Sequence, residues 1–195
     1  MTDLARWSTP SSYESFWNDR ARVAASLVGS AKGVCDEGCG PQALGQFLPA
    51  NVRYLPADLV SSNPEVAICE LHASKWPTLY LQCCDIVYLL GVLDCLHQPK
   101  EVLSRFARTS PELVFTYNPS DMSDYDRVGF GWVNSLTGPA LLELLQECGY
   151  EIVSRTVFEH TRLVVKARST VTSSASGWRR PMARLTLNVR NWFRR

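Results

Sequence analysis

Short apolar runs alternate with amphipathic segments along most of this chain. Each run is rich in Val, Leu, Ile, Tyr or Phe and is bounded by glycine, proline or charged residues, which is typical of a buried β-strand. Because strands that alternate with helices form mostly parallel sheets covered on both faces, the pattern predicts an α/β fold. The predicted strands are Gly33–Glu37, Val52–Asp58, Glu65–Glu70, Asp85–Leu90 and Leu113–Tyr117.

Between these strands, apolar positions recur at helical spacing. One such segment ends before Gly149, a residue suited to a helix C-cap. The connection between the second and third strands, Leu59 to Glu65, is shorter than the dozen or more residues that a parallel crossover usually needs. Either it has lost its helix or the third strand is misplaced. The predicted helices are 13–28, Pro41–Leu48, Pro99–Ala107 and Gly138–Cys148.

The last two apolar runs predict an antiparallel hairpin. Tyr150–Val157 and Arg162–Ala167 are rich in β-strand formers and meet at Phe158-Glu159-His160. A Ser/Thr-rich stretch follows and predicts a linker, after which a basic amphipathic segment closes the chain. The chain therefore divides into an N-terminal helical cap (1–30), a ligand-binding domain (31–168), a linker (169–178) and a tail (179–195).

The strongest functional signal is the stretch Val34-Cys35-Asp36-Glu37-Gly38-Cys39-Gly40-Pro41. It reads as a strand that ends in an acidic residue and a glycine turn that opens a helix. Two glycines one residue apart allow a sharp turn and close approach to a ligand, since neither has a Cβ. Pro41 suits the first helical position, and the N-terminus of that helix would face a bound anion. The stretch predicts a nucleotide-like ligand.

Composition and charge narrow the class of protein. The chain has 195 residues, is 46% hydrophobic and carries a net charge of +1, which suits one soluble domain with appendages. Residues 1–17 are polar and predict no signal peptide, and the apolar run Ile86–Leu93 is too short to span a bilayer. Seven cysteines without a CxxC motif indicate reduced thiols in a cytoplasmic protein, and the three scattered histidines indicate no metal site.

The glycine turn fits two kinds of nucleotide ligand. Gly38-x-Gly40-x-x-Ala43 satisfies the dinucleotide fingerprint, with Asp58 at a suitable distance, and this keeps an NAD-dependent oxidoreductase open. Asp36, however, would lie awkwardly near a pyrophosphate, whereas its carboxylate can accept from a ligand ammonium. The arrangement favours a zwitterionic amino-acid moiety joined to a nucleoside.

Several blocks of the chain, in order over roughly residues 13–168, resemble the class I S-adenosylmethionine-dependent methyltransferases. VCDEGCG resembles the family's first motif, and YLPAD ends at Asp58, where the family's acidic residue binds the ribose hydroxyls. ICEL places Glu70 and Leu71 where the family flanks the adenine. DIVYLLGVLDCL resembles the fourth-strand motif beside the methionine portion, and FGWVNSLTGPALLELLQECGYEIV resembles the late helix and strand before the family's terminal hairpin.

The resemblance implies a fold, a cofactor and a binding site. The fold is a Rossmann-like three-layer α/β/α sandwich with a mixed seven-stranded sheet and a C-terminal antiparallel hairpin, and the cofactor is S-adenosylmethionine. The chain departs from the family pattern at Gln42, where a third glycine is common, and at Asp94-Cys95, where Glu-His is common. The cofactor-binding residues implied are Asp36, Gly38, Cys39, Gly40, Asp58, Leu59, Glu70, Leu71, Leu90 and Gly91.

The acceptor side of the site has fewer sequence signals. Asp94 and His97 follow the fourth strand and are the candidates for a catalytic base. Residues 120–136 form a long irregular segment with aromatic rings and carboxylates, which predicts an acceptor lid suited to a polar, ring-shaped molecule such as a sugar. The residues predicted to bind the acceptor are Tyr117, Asn118, Tyr125 and Trp132.

The tail has a different chemistry from the rest of the chain. Residues 179–195 hold six arginines and no acidic residue, so the remaining chain is net acidic. An apolar stripe that ends at Trp192-Phe193 accompanies the arginines and favours a membrane surface or a protein partner over nucleic acid. The protein is therefore predicted to be cytoplasmic, with peripheral association at the inner face of the membrane as an alternative.

Together these observations predict a methyltransferase that transfers a methyl group to an oxygen or nitrogen nucleophile of a small molecule. The short domain is similar to small bacterial enzymes that modify sugars, polysaccharides or secondary metabolites, which favours a glycan or a glycosylated metabolite as the acceptor. Two alternatives stay open: a non-catalytic methyltransferase-like binding or docking module, and an NAD-dependent oxidoreductase. The sequence does not predict the oligomeric state.

Overall fold

A seven-stranded mixed sheet forms the centre of the protein in this computed structural model, which describes residues 16–73 and 84–171. Helical segments cover both faces, so the predicted three-layer α/β/α sandwich is confirmed. The first residues of the predicted N-terminal helix, the linker beyond Val171 and the basic tail lie outside the described residues. None of the described helices is long and apolar enough to cross a membrane.

The sheet has the strand order β3-β2-β1-β4-β5-β7-β6. Strands β1 to β5 pair in parallel, and β7 pairs antiparallel with both β5 and β6. The terminal hairpin is therefore confirmed, and its turn places Glu159 and His160 at positive φ. The strands are β1 (Gly33–Glu37), β2 (Arg53–Asp58), β3 (Ala67–Ile68), β4 (Ile86–Leu89), β5 (Glu112–Tyr117), β6 (Tyr150–Phe158) and β7 (Arg162–Ser169).

Each face of the sheet has its own hydrophobic cluster because side chains alternate along the strands. On one face, α1 (Phe16–Ala25) packs against Val34, Ile86 and Tyr88. On the other, α2 (Pro99–Thr109) and α3 (Gly138–Glu147) cover a larger cluster. Helix α3 begins after Thr137, whose side chain accepts from the Ala140 N–H, and ends before Gly149 at φ +84°. The larger cluster includes Val87, Leu103, Phe106, Phe115, Leu141 and Val165.

The prediction of a helix at Pro41–Leu48 is wrong. Between β1 and β2, only the 3-10 turn Leu44–Gln46 is helical. Gly38, Gly40 and Gln42 all have positive φ, which a right-handed helix cannot contain, so the helix cannot start at Pro41. The helix N-terminus that was expected to face an anion is consequently missing from this turn.

The short connection between β2 and β3 has no helix, and the third strand is correctly placed. Strands β2 and β3 pair in parallel with Asp58 opposite Ile68, although the predicted strand Glu65–Glu70 shrinks to two residues. An Asx-type turn spans the gap, with the Glu65 N–H donating to the Asn63 side chain at 3.0 Å. Ile68, uncovered by a crossover helix, remains 48% exposed.

The expectation of reduced thiols is wrong for one pair of cysteines. Cys35 in β1 and Cys84 before β4 are joined as a disulfide, and both lie buried in the core. Neighbouring strands carry them, so their Cα atoms are 5.8 Å apart, a normal separation for such a bond. Among the described residues, Cys39, Cys69, Cys95 and Cys148 form no disulfide.

Candidate functional site

The candidate site lies at the carboxyl ends of β1, β2 and β4. In open α/β sheets, ligands bind at this edge, where the strand order reverses on either side of the first strand. Here the reversal falls between β1 and β4. The predicted carboxylates Asp36 and Asp58 stand at the ends of the neighbouring strands β1 and β2. The structure therefore brings the predicted glycine turn and both carboxylates to one edge.

The glycine turn is held tightly against β2. The N–H groups of Gly38 and Cys39 both donate to the Ala57 carbonyl, at 2.8 and 3.0 Å, and the Gly40 N–H donates to Asp58 Oδ2 at 2.7 Å. Gly38 has φ +73°, and a Cβ there would collide with the side chain of Val92. Glycine is therefore required at this position both for its backbone angle and for its close contact with the loop after β4.

Asp36 is almost fully buried at the end of β1. The Tyr54 hydroxyl donates to its carboxylate at 2.6 Å, and Arg20 of α1 interacts with it electrostatically. Burial raises the pKa of Asp36 to about 7, although both neighbours act in the opposite direction. A cationic ligand group would stabilise the ionised carboxylate.

Arg20 is a site residue that the sequence did not reveal. Its Nε is fully buried and has no hydrogen-bond partner, and its guanidinium lies against Gly91 after β4. Burial lowers the pKa of Arg20 to about 10, with Arg162 acting in the same direction and Asp36 and Asp94 opposing it. A buried Nε–H group without a hydrogen-bond partner is costly, so an anionic group beside it would stabilise Arg20.

The remaining cofactor candidates border this pocket edge. Gly91 has φ +79°, and its N–H donates to the Thr116 hydroxyl at 2.8 Å. Asp58 accepts from the Leu59 N–H as well as from Gly40. The other candidates, which follow β1, β2, β3 and β4, are buried or half-buried: Cys39, Leu59, Glu70, Leu71 and Leu90.

Glu37 is a second buried carboxyl that the sequence did not mark as unusual. Its side chain points to the opposite face of β1 from Asp36, its Oε1 has no hydrogen-bond partner, and Cys69 contacts the carboxyl. Burial raises the pKa of Glu37 to about 8, so the group is mostly protonated at neutral pH. A neutral carboxyl is the form that such a buried position tolerates.

The acceptor-side candidates Asp94, Asn118 and Tyr117 form one buried hydrogen-bond network. Asp94 accepts from the Asn118 N–H at 3.1 Å and from Asn118 Nδ2 at 3.2 Å. The Tyr117 hydroxyl donates to Asn134 Oδ1 at 2.6 Å and accepts from the Leu136 N–H. Burial raises the pKa of Asp94 to about 6 and that of Tyr117 to about 12. Asp94 is thus bound to Asn118, directly after β5, and Tyr117 is bound to segment 120–136.

The other candidates lie nearer the surface. His97 is exposed, and its ring centroid is 6.2 Å from that of His72. Tyr125 is 44% exposed, and Trp132 is half-buried beside it. The structure thus separates the acceptor candidates into a buried network and an exposed aromatic group.

Comparisons with known proteins agree with this architecture. No protein-family model and no curated protein matches the chain. The N-terminal domain of EvdMO1, solved in the presence of SAH and D-fucose, superposes with a TM-score of 0.59 and 16% identity over 81% of this chain and 84% of its own. The mitomycin 7-O-methyltransferase MmcR gives 0.60 and 14% over 80% of this chain and 54% of its own, so this chain spans about half of that protein.

A third match comes from an archaeal complex. A chain of the complex between the Haloferax volcanii Trm112 methyltransferase activator and a putative methyltransferase gives a TM-score of 0.63 and 10% identity over 78% of this chain and 89% of its own. At such identities the likeness concerns the fold. The strand order, the glycine turn after β1 and the terminal hairpin agree with it. The protein has the fold of the class I S-adenosylmethionine-dependent methyltransferases.

Proposed function

We propose that the protein binds S-adenosylmethionine and transfers its methyl group to an oxygen or nitrogen nucleophile of a small molecule. The observation that carries this proposal is the electrostatic interaction of Arg20 with Asp36 at the edge of β1. Arg20 has a buried Nε without a hydrogen-bond partner, and the Asp36 carboxylate is buried next to the glycine turn.

This pair fits a zwitterion. The carboxylate of an amino-acid moiety would accept from the Arg20 guanidinium, and its ammonium would donate to Asp36. A side chain at Gly91 would collide with that guanidinium, so glycine allows Arg20 to take this position. A dinucleotide has no amino-acid ammonium and carboxylate, and the turn provides no helix N-terminus for a pyrophosphate.

The other predicted cofactor residues suit the nucleoside half of the ligand. Each carboxylate oxygen of Asp58 accepts a hydrogen bond from a backbone N–H group. Each oxygen has further lone pairs, which could accept from the two ribose hydroxyls. Leu59, Leu71 and Leu90 supply apolar surface for a base, and Glu70 would accept from its amino group. Bound S-adenosylmethionine supplies an electrophilic methyl group on its sulfonium.

The chain's main chemical contribution is to hold the nucleophile in line with that methyl group. Of the two predicted base candidates, Asp94 is occupied by Asn118 and Arg127, whereas His97 is exposed. His97 is therefore the better candidate to accept a proton from the acceptor. Proton loss to solvent would make this role dispensable, and His97→Gln would then retain activity.

The acceptor proposed is a sugar or a glycosylated metabolite. The aromatic rings and carboxylates of segment 120–136 suit a polar ring, and EvdMO1, which shares the fold, was solved with D-fucose present. Modification of polysaccharides or secondary metabolites is the corresponding cellular role. A cytoplasmic location, with the tail at the inner face of the membrane or on a protein partner, completes this proposal.

Calorimetry tests cofactor binding. Wild-type protein should bind S-adenosylmethionine and show no heat with NAD(H), and Asp58→Ala should weaken binding roughly tenfold or more through the lost ribose hydrogen bonds. Asp124→Asn, an exposed carboxylate outside the pocket edge, is the matched control. Absence of binding by the wild type, or undiminished affinity of Asp58→Ala, would contradict the proposal. NAD(H) binding instead would favour the oxidoreductase.

Turnover separates the enzyme from a non-catalytic docking module, since a module binds the cofactor without releasing S-adenosylhomocysteine in the presence of acceptors.

For the tail, co-sedimentation with anionic vesicles compares the full chain with a form lacking residues 179–195. The membrane proposal expects the full chain to sediment and the shortened form to stay in solution. Equal sedimentation would remove it.

A further inference from the structure

Segment 120–136, called the lid here, is fixed from below by backbone and side-chain hydrogen bonds. The N–H groups of Val133 and Asn134 donate to the Asp94 carbonyl, at 2.9 and 3.4 Å. Asn134 Nδ2 donates to the carbonyls of Leu93, Asp94 and Leu96, within 3.2 Å. The lid is thus attached to the turn after β4, at the edge of the sheet that carries the candidate site.

Arg127 is the one basic residue in the lid, and it points inward. Its guanidinium donates to the carbonyls of Asn118 and Asn134, at 2.6 to 2.9 Å, and reaches Asp94 Oδ1 at 3.4 Å. Only 16% of its side chain is exposed. Its charge is therefore used for internal contacts and leaves the outer surface of the lid without a cation.

The aromatic rings of the lid are stacked on this guanidinium. The Arg127 guanidinium carbon lies 5.0 Å from the centroid of the Trp132 ring, and Phe130 stacks on Trp132 with ring centroids 4.9 Å apart and an interplanar angle of 21°. Trp132 therefore contacts both Arg127 and Phe130. Tyr125 meets Trp132 and Phe130 edge-on, at 5.9 and 5.8 Å. Phe130 is 47% exposed, and the face of its ring that points away from Trp132 is called its outer face here.

The segment that carries this ring is acidic. Asp121, Asp124 and Asp126 belong to the lid, and Glu159 lies in the β6–β7 turn. That turn is a neighbour, because the Thr161 hydroxyl donates to the Tyr125 hydroxyl at 3.4 Å. An anionic group brought to Phe130 would be repelled, whereas hydroxyls or an ammonium would find carboxylate acceptors.

We infer that the outer face of Phe130, with the edge of Tyr125, is a binding subsite for an uncharged or amino-bearing sugar ring of the acceptor. This inference rests on the proposed function and narrows its substrate class, since it excludes acidic and phosphorylated sugars. The C–H face of a pyranose packs on an aromatic ring, while its equatorial polar groups reach the surrounding carboxylates. Trp132, predicted to bind the acceptor, acts instead as a positioning residue between Arg127 and Phe130.

Saturation-transfer NMR on the full chain, saturated with S-adenosylhomocysteine, tests the subsite. The probes are methyl β-D-glucopyranoside, its 2-amino-2-deoxy analogue and methyl β-D-glucuronide. The neutral and amino glycosides should receive saturation, the glucuronide several-fold less, and Phe130→Ala should abolish the signal. Val128→Ala, at an 83% exposed apolar position of the same lid, is the control and should retain it.

The possible outcomes separate the two proposals. Failure of S-adenosylhomocysteine to bind contradicts the proposed function, whereas normal cofactor binding without any glycoside signal overturns the subsite alone. An equal signal from the glucuronide, or an undiminished signal in Phe130→Ala, also overturns it. A dimer that Phe130→Ala dissociates would assign the same face to a second copy of the chain.

Arg127 provides the test of positioning. Arg127→Ala should reduce the glycoside signal several-fold while cofactor affinity stays within about twofold. Arg127→Lys, which keeps a cation between Asp94 and the lid, should restore part of the signal. A purely structural role would leave both variants with the same loss, and an equal loss of cofactor affinity would also contradict the positioning role.

Discussion

The two halves of the candidate site differ in how their polar groups are satisfied. In the half built by β1, β2 and α1, Arg20 Nε and Glu37 Oε1 are buried without hydrogen bonds, and Asp36 is buried with a raised pKa. In the lid half, both carboxylate oxygens of Asp94 accept hydrogen bonds from Asn118. The side-chain amide of Asn134 donates to several backbone carbonyls. The first half thus has charged side chains with unsatisfied buried atoms, whereas Asp94 and Arg127 in the second are hydrogen-bonded within the protein.

The difference assigns separate tasks to groups of similar chemistry. Asp36 and Asp94 are both buried carboxylates at strand ends, yet the first interacts electrostatically with Arg20, whose Nε has no hydrogen-bond partner. The second contacts Arg127, whose guanidinium donates several hydrogen bonds. Buried polar groups without hydrogen bonds destabilise the ligand-free protein. A ligand that supplies those hydrogen bonds stabilises the folded state when it binds. Mutations in the lid half should therefore mainly lower the free energy of unfolding. Mutations in the other half should mainly lower the affinity for the cofactor.

The largest effect on stability is expected in the lid half. Asp94→Ala leaves the Arg127 guanidinium without its carboxylate and Asn118 without its acceptor, so the free energy of unfolding should fall by about 3 to 5 kcal/mol. Urea unfolding followed by circular dichroism measures it. Asp124→Asn, an exposed carboxylate of the same lid, should stay within about 0.5 kcal/mol. A loss below about 1 kcal/mol in Asp94→Ala would remove the network from its role in stability.

The opposite balance is expected for Arg20→Gln. Loss of a charge-assisted contact should weaken S-adenosylmethionine binding roughly 30- to 100-fold. The free energy of unfolding should remain the same or rise, because the substitution removes a buried Nε–H group that has no hydrogen-bond partner. Calorimetry and urea unfolding on one preparation measure both quantities. Arg22→Gln, in an exposed ion pair on the same helix, is the control for affinity.

Glu37 makes the same half sensitive to pH. Since its pKa is raised in the folded state, the stability from its protonated form is complete below about pH 4.5 and is lost as the pH rises to about 8. Wild-type protein should therefore lose up to about 1.4 kcal/mol per pH unit across this interval relative to Glu37→Gln. Unfolding at pH 6, 7 and 8 measures the slope, with Glu143→Gln, an exposed helix residue, as control. Parallel pH profiles would contradict the assignment.

The smallest effect should come from Gln42. Its φ of +61° is a left-handed conformation that costs a non-glycine residue about 1 kcal/mol, so Gln42→Gly should raise stability by about that amount. Gln46→Gly, in the following 3-10 turn, should lower stability by about 0.5 to 1 kcal/mol, since it gains only unfolded-state freedom. A loss of stability in Gln42→Gly would mean that the glutamine side chain has contacts that offset the strain.

The strands, α2, α3 and the hairpin could be predicted from the sequence because burial on the sheet imposes strong local patterns. The run Ile86–Leu89 is apolar throughout, the run Leu113–Tyr117 is apolar except for Thr116, and Gly149 ends α3 at a position where only glycine is unstrained. The glycine turn was found for the same reason, since Gly38 serves both a backbone angle and a close contact. Such features depend on neighbours in the chain.

The remaining features depend on distant contacts. A helix at Pro41–Leu48 was predicted because proline and apolar spacing favour it, but hydrogen bonds from the turn to Ala57 and Asp58 fix left-handed angles before it can start. Arg20 was missed because a charged residue in an amphipathic helix usually faces water. Its position between Trp17, Ala21 and Ala24 on the buried side of α1 was the available signal.

The direct pairing of β1 with β2 has a consequence for how this site can vary in evolution. Asp36 lies opposite Pro56, so the separation of Asp36 and Asp58 is set by strand register, with no intervening helix to transmit changes. An insertion into the exposed residues 49–51 would lengthen a surface connection and leave both carboxylates in place. A single-residue insertion within β2 would instead turn Asp58 to the opposite face of the sheet, so this short segment should tolerate changes of length only outside its strands.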